Sequence, residues 1–230
     1  KAQKFVHERE DAEIIAKRAV QLAMHGTPVE GGHLLIRNDP YISGRKLFEK
    51  NCGSCHNFSA RDGDKFESWI PKDKDGKPTA TAGDLGSFGS KEWVRGLLKN
   101  PMDHKYFGNV KDPNDKEKHA LTGMRNWRKG IDAKQADMDK DKVAKQEAEL
   151  DMIAEWLAEQ SKPVEKRIET FEKFKDHQAA FFKSANKCAS CHTIEKIEVD
   201  DKTKKLKAVV AGGGDEGVPD LTGYGSEAWI

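Results

Sequence analysis

Apolar residues recur at helical spacing in four stretches of the chain, with charged residues between them. Over residues 1–25, Ile14, Ile15, Ala19, Leu22 and Ala23 share one stripe, which predicts a single amphipathic helix ended by Gly26 and Pro28. Residues 26–40 are punctuated by glycine and proline and read as a connector. A second helix is expected over 41–51 with Leu47 and Phe48 on its inner face. A third runs over 133–160 with Leu150, Ile153, Trp156 and Leu157 as its stripe, and a fourth from about Glu165 to Ala185 carries Phe171, Phe174, Phe181 and Phe182. Ser161-Lys162-Pro163 separates the last two. Asp137, Asp139 and Asp141 read as a solvated helix start, where acids complement the dipole. Between Ile194 and Ala211 the order changes to apolar, charged, apolar, the pattern of a β-hairpin. The matching part of the first half, from Trp69-Ile70-Pro71 into Lys72–Lys77, reads as an exposed excursion. Its Asp73-Lys74-Asp75-Gly76 run lacks the far carboxylate that a calcium loop needs.

The chain repeats itself. Cys52-Gly53-Ser54-Cys55-His56 returns 136 residues later as Cys188-Ala189-Ser190-Cys191-His192. The run from Asp84 through Leu85, Phe88, Gly89, Ser90 and Trp93 to Val94 returns at the same offset as Asp220, Leu221, Tyr224, Gly225, Ser226, Trp229 and Ile230. A motif and its sequel at one constant offset mark a duplicated unit. The expected organisation is an N-terminal helix and connector at 1–40, a first domain at 41–163 and a second at 164–230. The second is incomplete relative to the first, since Ile230 pairs with Val94. A domain of that kind, without a closing helix, is expected to leave its leading helix uncovered.

Composition narrows what such units can be. Only 36% of the 230 residues are hydrophobic and 8% aromatic, little for two peptide cores unless something else fills them. Lys and Arg number 40 against 39 Asp and Glu, a balance that implies no nucleic-acid binding. No run approaches the roughly 20 apolar residues of a membrane span, and Lys1 opens no charged-then-apolar secretory segment.

All four cysteines lie in the two five-residue motifs, which leaves none for disulfides elsewhere. Residues three apart face the same side of a helical turn, so in C-x-x-C-H both thiols reach one porphyrin edge and the next residue carries an imidazole to the iron. A zinc site asks for no histidine abutting the second cysteine, and a thioredoxin-like dithiol asks for flanking buried strands. Two covalently bound haem c groups are therefore expected, on Cys52, Cys55, Cys188 and Cys191, with His56 and His192 as iron ligands.

A glycine-containing helix with Leu47-Phe48 before C-x-x-C-H, then Asp-Leu-x-x-x-Gly-Ser-x-x-Trp, a methionine and an amphipathic helix resembles a class I c-type cytochrome. Residues 12–108, through Gly26-Thr27-Pro28, Arg37-Asn38-Asp39-Pro40, Trp93 and Phe107-Gly108, more narrowly resemble the haem-c portion of bacterial quinol-oxidising cytochrome bc complexes. The resemblance implies a mainly α chain of two tandem class I domains with short hairpin-like inserts, the second C-terminally truncated. It implies export to the periplasm or an equivalent compartment, redox partner proteins, and association with a membrane-embedded cytochrome b-type subunit. Trp93 and Trp229 would turn their indoles towards haem propionates, with Arg95 as a second donor. In the first domain Met124, in a loop before the closing helix, would be the sixth ligand, with His119 its rival; Arg125 stands where the family has proline. Trp156 and Leu157 are placed to meet the 41–51 helix, while Trp156 reads simply as a core residue. The second domain holds no methionine and no histidine after His192, so its iron is open, takes His177, or is capped by residues after Ile230. The implied function is electron transfer by a dihaem cytochrome c; the alternative is a dihaem peroxidase-like enzyme, and a ligand-binding sensor would need the same open iron.

Overall fold

The computed structural model describes residues 2–62, 65–69, 79–112, 115–119, 122–183, 185–214 and 217–229. The 70–77 insert, with its Asp73–Gly76 run, and Ile230 lie outside the described residues. The chain is mainly α-helical, with three two-stranded antiparallel sheets among the described residues. It forms two compact units: one comprises 1–56 with 70–80, the other 57–69 with 81–230.

In the first unit, α1 (Ala2–Ala23) stops two residues short of the expected end, where Gly26 takes φ 109°. The connector holds a further helix, α2 (His33–Asn38), too short to show a period. Asp39 starts α3 (Pro40–Asn51): its carboxylate accepts from Ile42 N at 3.2 Å, and Pro40 occupies the first turn, where a missing N–H is harmless. The same carboxylate is held by Arg18 of α1, Nη2 to Oδ1 at 2.8 Å. Ile42 is the buried residue of α3, whereas Leu47, expected on the inner face, is 59% exposed and Phe48 half-buried. His25 and His33 are exposed.

The hydrogen bond from Arg18 holds the Asp39 carboxyl below the usual carboxylate range, so its contribution is present above the unfolded pKa and lost as pH falls. Asp39→Ala is expected to destabilise this unit by about 1 kcal/mol at neutral pH through the lost cap. The difference from the parent chain should shrink below about pH 4, which melts followed by circular dichroism at several pH values would show.

The second unit is built around α6 (Lys140–Glu159), capped by Asp139, whose carboxylate accepts from Lys142 N at 2.9 Å. The helix expected over 133–160 is therefore two helices, α5 (Thr122–Ala136) and α6, broken at 137–139 by that cap. On α6 the residues Leu150, Ile153, Ala154 and Leu157 recur at i, i+3, i+4 and i+7 and are buried, with Trp156 beside them. They pack against α4 (Lys91–Lys99) on one side and, past the turn of α7 (Val164–Glu169), α8 (Phe171–Phe182) on the other. Trp156 meets Phe181 at 5.2 Å and Phe182 at 6.2 Å between ring centroids. Trp156 is a core residue, as expected, packed on the leading helix of the second copy. One expectation is corrected here: that helix is covered, by α6.

Polar contacts tie the same seam. Lys183, which caps the C-terminus of α8, pairs with Glu149 of α6. Arg167 of α7, itself buried, donates to Gln160 Oε1 at 2.7 Å and pairs with Glu195. The hairpin expected over 194–211 is present as β5 (Thr193–Val199) and β6 (Leu206–Gly212), in register from Thr193↔Gly212 to Val199↔Leu206. The first half carries β1 (Phe58–Asp62) with β2 (Lys65–Trp69), and β3 (Lys111–Asp112) with β4 (Asp115–His119). No helix among the described residues is long and apolar enough to cross a membrane.

Candidate functional site

Each C-x-x-C-H motif forms one helical turn. His56 N donates to Cys52 O at 3.0 Å, and His192 N to Cys188 O at 2.9 Å. In the second copy Lys187, at φ 58°, turns the chain into a four-residue helix, α9 (Cys188–Cys191). Both copies thus share the backbone hydrogen bond of a single helical turn.

The sequel repeats bond for bond. Leu85 N donates to Asn57 O at 2.9 Å and Leu221 N to Thr193 O at 2.8 Å, so each turn is tied to the residue after the motif histidine. Ser87 and Gly223 share the left-handed region (φ 58° and 69°), as do Gly89 and Gly225 (77° and 74°). Trp93 Nε1 donates to Asp84 O at 2.9 Å and Trp229 Nε1 to Asp220 O at 2.8 Å. Both indole hydrogens, expected to point at propionates, are thereby taken by the nearest main-chain acceptor. Arg95 is likewise engaged elsewhere. Burial alone would lower its pKa, but hydrogen bonds to Glu147 and Asp151 of α6 outweigh that and raise it.

The two turns also meet each other through equivalent residues. Phe88 and Tyr224 lie 5.4 Å apart between centroids, Phe88 stacks on Trp229 at 5.8 Å, and a Cβ placed on Gly89 would lie 3.2 Å from Gly225 Cα. A pseudo-symmetric aromatic wall joins the copies.

In the second copy the histidine's tautomer is set. His192 Nδ1 lies 3.0 Å from Pro219 O, and a carbonyl can only accept, so Nδ1 carries the hydrogen and Nε2 of the neutral ring keeps a free lone pair for a metal. Cys188 is packed against the core cluster, its Sγ 3.6 Å from Asn186 O, and burial pushes its thiol up to about 12. Among the described residues no three His, Cys, Asp or Glu side chains gather as a metal-binding group.

Two buried hydroxyls of the second turn, Thr222 Oγ1 and Tyr224 Oη, have no hydrogen-bond partner among the described residues, and burial pushes the Tyr224 hydroxyl up. An unpaired buried donor costs about 1–3 kcal/mol, and a haem propionate is an acceptor of the kind these lack. The residues present fit covalent haem. Thr222, Tyr224, Pro219 and Asn186 were not legible as site residues beforehand; the sequel's offset to the repeat was the signal that could have pointed to the first two.

The axial candidates fall differently from expectation. Met124 sits in the first turn of α5 instead of a loop, half-buried and packed on the core cluster. His119 lies in β4, its side chain outside the described residues. Met102 is half-buried after Pro101, and Met138 is exposed between α5 and α6. Compared with protein-family models, curated proteins and solved structures, the chain matches none.

Proposed function

We propose that this chain is a dihaem c-type cytochrome, an electron carrier holding one haem on Cys52, Cys55 and His56 and another on Cys188, Cys191 and His192. In particular, it is the haem-c portion of a quinol-oxidising cytochrome bc-type respiratory complex, exported to the periplasm or its equivalent. There it takes electrons by way of a membrane-embedded cytochrome b-type subunit and delivers them to a redox partner protein. The observation that carries the reading is the Nδ1-donating His192 directly after the second of two C-x-x-C turns that together hold all four cysteines.

Bound haem supplies a reversible one-electron iron couple. The chain's own residues do the rest. The motif turn presents two sulfurs to one edge, Pro219 orients the imidazole, and Thr222 and Tyr224 offer hydroxyl donors. Phe88, Tyr224 and Trp229 exclude water between the copies. The likeness of the two turns supports carriage over peroxidase chemistry, which calls for two unlike pockets.

Mass spectrometry of the holoprotein, with a pyridine haemochrome count, tests this. Two added haems per chain are expected, and one in a Cys188→Ser/Cys191→Ser chain. Stoichiometric zinc without haem would overturn the reading, and substantial peroxide turnover with a reduced donor would move it to the peroxidase class.

A further inference from the structure

We infer that Met124 is the second axial ligand of the iron that His192 holds, so that the second copy is completed by a helix from the first half of the chain. This rests on the proposed haem attachment. The family order assigns Met124 to the first copy; the geometry of α5 points to the second.

On α5 the residues withdrawn from solvent include Met124, Trp127, Arg128, Ile131 and Gln135, at spacings of three and four, whereas Asn126, Lys129, Asp132 and Ala133 are exposed. Contacts at both ends fix where that face points. At the C-terminal end, Gln135 Nε2 donates to Glu147 Oε1 of α6 at 2.8 Å. Midway, Arg128 lies 3.5 Å from the same carboxylate, and Ile131 is buried. Near the N-terminal end, Trp127 Nε1 donates at 2.8 Å to the carbonyl of Asn186, two residues before Cys188. Cys188 Sγ shares that carbonyl, and Asn186 is fully buried, its Nδ2 held by Ala180 O at 2.9 Å. The first turn of α5 is thus anchored to the segment leading into the second motif.

Met124 stands one turn beyond Trp127 on the same face. It packs on the cluster that also takes in Cys188 and Ala189. A thioether is neutral, carries no proton to lose and donates a soft lone pair, so it suits a position packed on this apolar cluster. Between His192 and Ile230 the given sequence holds neither methionine nor histidine. His177, the histidine on α8, lies against Phe174 at 5.2 Å between centroids and within the field of Glu155, more than two turns before Asn186. Met124 is therefore a ligand by position, and Trp127 the residue that positions it.

The test uses the full dihaem holoprotein. In its reduced state, the ring-current-shifted methyl of the ligand methionine should show nuclear Overhauser contacts to the haem that also contacts the Cys188 and Cys191 thioether protons. Contacts leading instead to the Cys52 and Cys55 thioethers overturn the inference. As a second measurement, a Cys52→Ser/Cys55→Ser chain, holding only the second haem, should keep the red charge-transfer absorption of methionine-ligated ferric haem. Adding Met124→Ala to it should abolish that absorption, while His177→Ala should not; survival of the absorption without Met124 overturns the inference. A chain carrying no haem at all would overturn the proposed function first, so the two failures are distinguishable.

Discussion

A Gly213→Ala chain is expected to bind one haem where the parent binds two. At Gly213 a Cβ would lie 2.1 Å from Ser190 O and 2.8 Å from Ser190 C, inside the second motif, while Gly213 N already donates to Ala189 O at 2.8 Å. Both partners are main chain, so no side chain can move aside, and the motif turn or the end of β6 must shift. Overpacking of this kind costs roughly 2–3 kcal/mol. The displaced turn would no longer offer both sulfurs to one porphyrin edge. Gly217→Ala is the control: at φ 77° it is strained, but a Cβ there meets nothing within 4 Å, and the haem count should stay at the parent value. A haemochrome count per chain and a melting curve for each variant check both outcomes. An unchanged count in Gly213→Ala would mean that the clasp between β6 and the motif is not needed for attachment.

The second large effect belongs to the seam between the copies. Leu150→Ala removes a side chain with 0% exposure from the cluster that joins α4, α6 and α8. Large-to-small changes at such positions cost about 2–5 kcal/mol, and a loss near ~3 kcal/mol lowers the melting temperature of a chain this size by roughly 6–12 °C. Leu47→Ala, at a position 59% exposed, should change stability by no more than about 0.5 kcal/mol. If the two variants melt alike, α6 does not carry the core.

Much of the candidate site was legible because it is local. C-x-x-C-H spans a single turn, and its chemistry depends on spacing that no packing can change. The Asp84–Trp93 and Asp220–Trp229 runs share an offset, and the structure gives them the same bonds and the same left-handed residues. What stayed hidden was of two kinds. α5 was read as loop because Gly123 and Gly130 weaken its helical signal. The break before α6 was masked by strong helix formers on both sides of the Asp139 cap. The pairing of α6 with α8 was not legible for another reason. Leu150, Ile153, Trp156 and Leu157 announce a buried stripe, yet such a stripe says nothing of which helix covers it.

By itself the sequence determined the two C-x-x-C-H motifs, the duplicated turn that follows each, the hairpin after the second and the apolar stripe of α6. These rest on covalent spacing and on backbone preferences acting within a few residues. Tertiary structure alone decided that α6 covers the leading helix of the second copy, that Trp127 reaches Asn186, and that the duplicated turns meet through Phe88 and Tyr224. Burial of apolar surface is non-directional, so the choice among equally apolar partners is made only when the whole chain packs.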